Sequence, residues 1–319
     1  MRGIYHNLHP FSKIGFVALV AILGLFLFMI LSALLAIPLF GIEAFSQIVS
    51  SSMIFDESNI AVLKYFQLAQ SLGLFMVPSL VLAYFFGGSA FRYLKLNVAP
   101  QKTNLLLVTL IVLCASPFIN FVGVWNADLS LPHWLSGVEE WMKASEESAA
   151  HLTELFVSAH TLQGLLFNLF LIAVIPAIGE EFLFRGVIQR ILNEWTKNKH
   201  WAIWIAAILF SALHFQFYGF IPRVLLGALF GYMYIWSGNL WLPVAAHFVN
   251  NAAAVIAYYF YNNNLMKLDP DSIGTEGTVG ILSAIISLIV VALLFVVFYR
   301  RNRHEEAFDE VVDGFEVKK

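Results

Sequence analysis

Two carboxylates and a guanidinium, Glu180, Glu181 and Arg185, stand inside the apolar run LFNLFLIAVIPAIGEEFLFRGVIQRIL. A charge at the middle of a membrane helix costs roughly 2.5–3.5 kcal/mol on insertion scales, so three unpaired charges would cost on the order of 9 kcal/mol. Pairing lowers that cost. Glu181 and Arg185 are four residues apart with the acid first, the order in which a helical ion pair is favourable. Glu180 is left over, turned about 100° around the helix from Glu181. It needs water, a proton or a second partner, and a positioned carboxylate with a water beside it is the raw material of general-base chemistry.

Two further polar clusters supply imidazole and amide groups. FSALH places His214 inside one apolar segment, the expected span 201–217, and HFVNN places His247 and Asn251 on one face of another. Counted at about 1.5 Å per residue from the cation-rich ends of their segments, Glu180, His214, His247 and Asn251 fall roughly 12–21 Å deep. They are expected to converge in one cavity, open to the cytoplasm and to lipid. Pro176, one turn before Glu180, removes a backbone donor and predicts a kink. Gly179 and Gly186 predict close helix contacts.

The elements that must carry these residues are membrane helices. Of the 319 residues, 60% are hydrophobic and 12% charged, and the mean hydropathy is +0.77. A soluble core does not need so much apolar content, and the charged share is about half the usual one. A net charge of −3 does not suggest a nucleic-acid partner, and none is expected, while one cysteine, Cys114, excludes an intramolecular disulfide framework or a zinc ribbon. The fold class is therefore an all-α polytopic membrane protein. About eight transmembrane helices form the bundle, at residues 14–41, 62–87, 104–125, 162–189, 201–217, 221–236, 240–261 and 279–299, around a buried polar site. The fifth and sixth are short and are expected to be tilted or partly re-entrant. The uncharged stretch Ile14–Ile42 is too long for a signal-peptide core and reads as a first span that is kept.

Loop charges alternate with this count. Arg92, Lys95 and Lys102 fall in the second loop, Arg190, Lys197 and Lys199 in the fourth, and Arg300, Arg301 and Arg303 after the last span. Acids dominate the first, third and seventh loops, among them Glu43, Asp56, Glu57, Glu139, Glu146 and Asp271. The bias predicts cytoplasmic termini. Lys64 and Arg223, at outer span ends, are expected to snorkel. The segment PHWLSGVEEWMKASEESAAHLTELF reads as an outer surface helix capping the bundle, with a lid over the site as the alternative. Three regions follow: 1–159, the first three spans with the outer amphipathic segment; 160–261, the polar core; and 262–319, the last span with a short polar tail.

GEEFLFRG, FSALH and HFVNN together match Glu-Glu-x-x-x-Arg, Phe-x-x-x-His and His-x-x-x-Asn, in order and membrane placement. The chain thus resembles the CPBP family of intramembrane proteases, which includes CAAX prenyl endopeptidases and bacteriocin-processing and immunity proteins. The resemblance implies an endopeptidase acting on membrane-associated or lipidated peptides. It implies that Glu180 activates water, His214 holds that water, His247 and Asn251 bind the oxyanion, and Glu181 and Arg185 support the site. Two histidines, a glutamate and water would suit zinc, with Glu180, His214 and His247 as ligands. No His-Glu-x-x-His is present, however, and asparagine is a poor zinc ligand, so a metal-free site is favoured. Other expected partners are the lipid bilayer and a peptide or protein substrate. The compact chain without appended domains points to a prokaryotic plasma membrane. The competing functions are a non-proteolytic immunity or scaffold protein of the same fold and a proton-coupled transporter.

Overall fold

The computed structural model describes residues 3–42, 59–275 and 277–303. Glu43, Asp56, Glu57, Arg2, Glu276 and the tail 305–319 lie outside the described residues. Among the described residues every regular element is helical. The main helices are α1 (Pro10–Phe40), α2 (Ile60–Gly87), α3 (Lys102–Ala127), α4 (Ser136–Val157), α5 (Leu162–Thr196), α6 (Lys199–Ala212), α7 (Phe220–Ser237), α8 (Trp241–Asn262) and α9 (Gly277–Asn302). Six of them, α1, α2, α3, α5, α7 and α9, are long and apolar enough to cross a membrane. With this composition the chain is an integral membrane protein.

The remaining two expected spans differ from the others. The polar residues of α8 dilute its apolarity, although its 22 residues reach about 33 Å. By contrast, α6 has only 14 residues, about 21 Å against a hydrocarbon core of about 30 Å. It stops at Ala212, so His214 stands in the turn after the helix and not within a span. The apolar pattern continues through Leu213, Phe215 and Phe217, which hides this ending from a periodicity argument. Phe215 adopts a left-handed backbone that breaks the helix.

Hydrogen bonds sort the helix ends into two faces. On one, Lys13 at the start of α1 pairs with Glu194 near the end of α5 at 2.7 Å. There too Arg190 donates to the Tyr93 carbonyl and lies over the Tyr93 ring, Trp241 Nε1 donates to Leu96 O, and Asn104 bonds Asn302. On the other face, Asn126 holds the α6–α7 turn through Phe217 O and Ile221 N, Asn263 donates to Ala159 O, and Asn120 donates to Pro270 O and Ile273 O. The helix α4 lies on this second face, where Trp141 packs against Phe217.

Burial is uneven. In the most apolar windows of α1 and α9 only 11% and 17% of residues are buried, so these helices present most of their side chains to lipid. The core instead gathers around α5, α6 and α7. Close approach there depends on glycine. A Cβ on Gly186 would stand 2.5 Å from Leu94 Cδ2, and one on Gly231 would stand 2.8 Å from Ile203 Cγ2. Gly227 and Gly231 form a small-xxx-small stripe against α6.

Candidate active site

The helix α5 does not run straight past its charges. It widens into π-helical turns at Leu169–Val174 and Phe182–Ile188, on either side of the segment Ile175–Glu181. The first lies just before Pro176, which cannot donate to the carbonyl four residues back, and the widened turn takes up the mismatch. That carbonyl is Ile172 O, and Asn251 Nδ2 donates to it at 3.0 Å. Asn251 thus joins α8 to the α5 backbone that proline leaves short of a donor. Its own oxygen accepts from Asn250 Nδ2 at 3.1 Å.

The two adjacent glutamates meet different surroundings. Glu181 has no exposed surface, and its Oε1 accepts from Arg185 Nη1 at 2.7 Å and from His247 Nδ1 at 2.9 Å. Its Oε2 is buried without a protein hydrogen-bond partner. The second arm of Arg185 donates to Gly227 O at 2.9 Å, and its guanidinium packs over the rings of Phe210 and Phe230 at 5.0 and 5.7 Å. One turn along α5, Gln189 Nε2 donates to Gly231 O at 3.3 Å. The glycine stripe of α7 therefore offers its carbonyls to a polar stripe of α5. The sequence reading passed over GALFG and Gln189; the signal was the four-residue spacing shared by Arg185/Gln189 and Gly227/Gly231.

Glu180 faces the other way, into a cavity of about 620 Å³ that it lines together with His214, His247, Asn251 and Arg223. His247 Nε2 lies 3.9 Å from Glu180 Oε2, and its ring stacks on Phe230 with a centroid separation of 5.6 Å. His214 Nδ1 donates to Phe210 O at 2.8 Å, the bond that fixes the ring in its turn. The structure thus brings all of the sequence-predicted polar residues together in two layers. Glu180, His214, His247 and Asn251 line the cavity, while Glu181 and Arg185 lie behind its wall.

Three placements depart from the expectations. The helix α4 is part of the cavity wall, with Ala149, Leu152, Thr153, Phe156 and Val157 on its inner side. Their spacing of three and four residues makes one helical stripe. Arg223 turns into the cavity instead of snorkelling outward, donating to Gln216 O at 3.2 Å and Gln216 Oε1 at 2.8 Å. Lys64 donates to the buried Asn168 Oδ1 at 2.6 Å.

The donor set can be tested against zinc. Among the described residues no three His, Cys, Asp or Glu side chains gather as a metal-holding group. Nδ1 of each histidine donates to a protein oxygen, which leaves Nε2 as the ring atom turned to the cavity, and His247 Nε2 lies 3.9 Å from Glu180 Oε2. A second cavity of about 590 Å³, between α5, α8 and the Leu96–Pro100 loop, has an apolar lining without an ionisable group.

The sequence model of the family described as type II CAAX prenyl endopeptidase Rce1-like matches residues 162–253. The uncharacterized protein YpbD of Bacillus subtilis (strain 168) is 36% identical over 89 residues, covering 27% of this chain and 42% of that protein. The chain thus spans about two fifths of the length of that curated relative. No solved structure matches the chain. The matched stretch, residues 162–253, carries Glu180, Glu181, Arg185, His214, His247 and Asn251, and over it the chain is similar to the Rce1-like type II CAAX prenyl endopeptidases.

Proposed function

We propose that this protein is an intramembrane endopeptidase that hydrolyses membrane-associated or lipidated peptides with a water activated by Glu180. One observation carries the reading. Among the described residues Glu180 is the one carboxylate lining a cavity that also holds two imidazoles, and the cavity is large enough for a short peptide segment.

Glu180 takes a proton from water while the oxygen attacks the scissile carbonyl carbon. The His214 Nδ1 proton is held by Phe210 O, which leaves Nε2 as the acceptor of the neutral ring, free to orient the second water proton. The carbonyl oxygen becomes an oxyanion. His247 receives it through Nε2–H, and since Nδ1–H is held by Glu181, the ring must carry both protons to do so. When the tetrahedral intermediate collapses, the C–N bond breaks and Glu180 returns its proton to the leaving amine. Glu181 and Arg185 act through His247 as positioning residues. Asn251, engaged with Ile172 O, keeps α8 in register with α5 and adds its dipole at the carbonyl site.

The test compares wild type with Glu180→Gln in native membranes by quantitative profiling of peptide termini. Termini that appear only with wild type support the reading and identify the substrates. Matching profiles at equal abundance of the two proteins would overturn it. Chelation of divalent metals is expected to leave the wild-type termini unchanged within about twofold, since no step passes through a metal.

A further inference from the structure

Arg223 is a cation that the hydrolysis outlined above leaves unused. It stands in the first turn of α7, and among the described residues it is the one Lys or Arg side chain that lines the Glu180 cavity. A guanidinium taken partly out of water is costly unless an anion faces it. The buried cations Arg185 and Lys13 each have one, Glu181 and Glu194, both at 2.7 Å. Arg223 does not: among the described residues no carboxylate stands at ion-pair distance from it. The two acids whose charge reaches it are Glu146 and Glu180, and both have other neighbours. Glu146 Oε2 accepts from Tyr218 N at 3.3 Å, and Glu180 Oε2 lies 3.9 Å from His247 Nε2.

Neutral oxygens hold the guanidinium instead. Nη1 donates to Gln216 O at 3.2 Å and Nη2 to Gln216 Oε1 at 2.8 Å. Gly219 makes room for it, since a Cβ there would stand 2.8 Å from Nη2. These contacts orient the group without neutralising it, and they keep it from tying up Glu180. A guanidinium carries five N–H donors in a planar fork. The bonds to Gln216 leave donors over, and that fork matches the two oxygens of a carboxylate. Arg223 and Glu180 border one cavity of about 620 Å³. An extended chain advances about 3.3–3.6 Å per residue, so a carboxylate seated on Arg223 holds a peptide bond a few residues away beside Glu180.

We infer that Arg223 determines specificity in this site: it pairs with a carboxylate of the substrate, either a free C-terminus or an Asp or Glu side chain near the scissile bond, and so fixes which bond lies at Glu180. The inference rests on the peptidase reading.

The experiment uses the purified full chain in detergent, with mass spectrometry of the products. The probe is a synthetic library of N-palmitoylated peptides of otherwise random sequence in four forms: C-terminal acid or amide, each with or without one Asp or Glu. Glu180→Gln supplies the blank. Wild type is expected to cut carboxylate-bearing forms about 10–100-fold faster than the amidated forms without an acid, the range of a charged hydrogen-bonded pair. A preference that follows the free C-terminus identifies the chain end as the anion, and one that follows Asp or Glu identifies the side chain. With Arg223→Gln the preference falls to within about twofold, and Arg223→Lys restores part of it; general damage to the fold would slow all four forms alike and leave the ratio unchanged. Gly219→Ala, which displaces the guanidinium and keeps its charge, serves where Arg223→Gln fails to accumulate and is expected to lower the same ratio. Cleavage that depends on Glu180 but shows no carboxylate preference, or a preference that survives Arg223→Gln, overturns the inference and leaves the peptidase reading standing. Absence of any cleavage beyond the Glu180→Gln blank counts against both.

Discussion

The bundle formed by α5 to α8 and the outer helices α1 and α9 obey different rules. In the outer helices nearly any apolar side chain meets lipid, and identity matters little: Ile286 is 60% exposed and Leu293 63%. In the inner bundle nearly every position is specified. Arg185 needs Glu181, the Gly227 carbonyl and two aromatic faces at once. Gly231 needs to lack a side chain so that Ile203 and Gln189 can close on it. Lipid is a forgiving solvent for apolar groups, whereas a buried charge admits few arrangements. The contrast also runs through one dipeptide. Glu180 is spared such fixation and faces a cavity, while its neighbour Glu181 is locked.

Four substitutions would break or sharpen this comparison. The largest effect is expected for Glu180→Gln, which keeps the shape and removes the base: peptidase turnover falls by about 10²–10⁴ with little change in detergent-denaturation midpoint. A large stability loss instead would place Glu180 with the locked residues. Next comes Arg185→Ala, which leaves Glu181 buried without its cation. Removing one partner of a buried pair costs about 3–5 kcal/mol, to be read as an early unfolding transition and poor accumulation in membranes. Gly231→Leu is expected to cost about 1–3 kcal/mol by overpacking against Ile203, with thermal unfolding in detergent as the measure. The smallest effect is that of Ile286→Ala on the lipid face of α9, within about 0.5 kcal/mol; a larger value would mean that α9 has a packing partner outside the described contacts.

Much of the site was legible from residue types. An acid and an arginine four apart in an apolar run can form a helical pair, and the predicted pair Glu181–Arg185 is made at 2.7 Å. The leftover status of Glu180 also followed, since two adjacent residues cannot share one helix face. Less was legible for Arg223 and α4. Both lie next to apolar stretches whose pattern fits a membrane-surface position equally well, and only neighbours distant in sequence, Gln67 and His247 among them, turn them into cavity wall. His214 was placed by its motif but not by its backbone, because the apolar run continues past the point where α6 ends.

The sequence by itself determined the solvent, the helical class, the pairing within α5 and the asymmetry of charge between the two faces. These depend on composition and on spacings of three and four residues, which local geometry converts directly into contacts. Only the tertiary structure decided that His247 closes on Glu181, that Asn251 serves the carbonyl Pro176 leaves free, and that α4 forms part of the cavity wall. The two bonds join residues 66 and 79 positions apart in the chain, and the relative rotation of their helices is set by glycine contacts and buried polar bonds that no single segment contains.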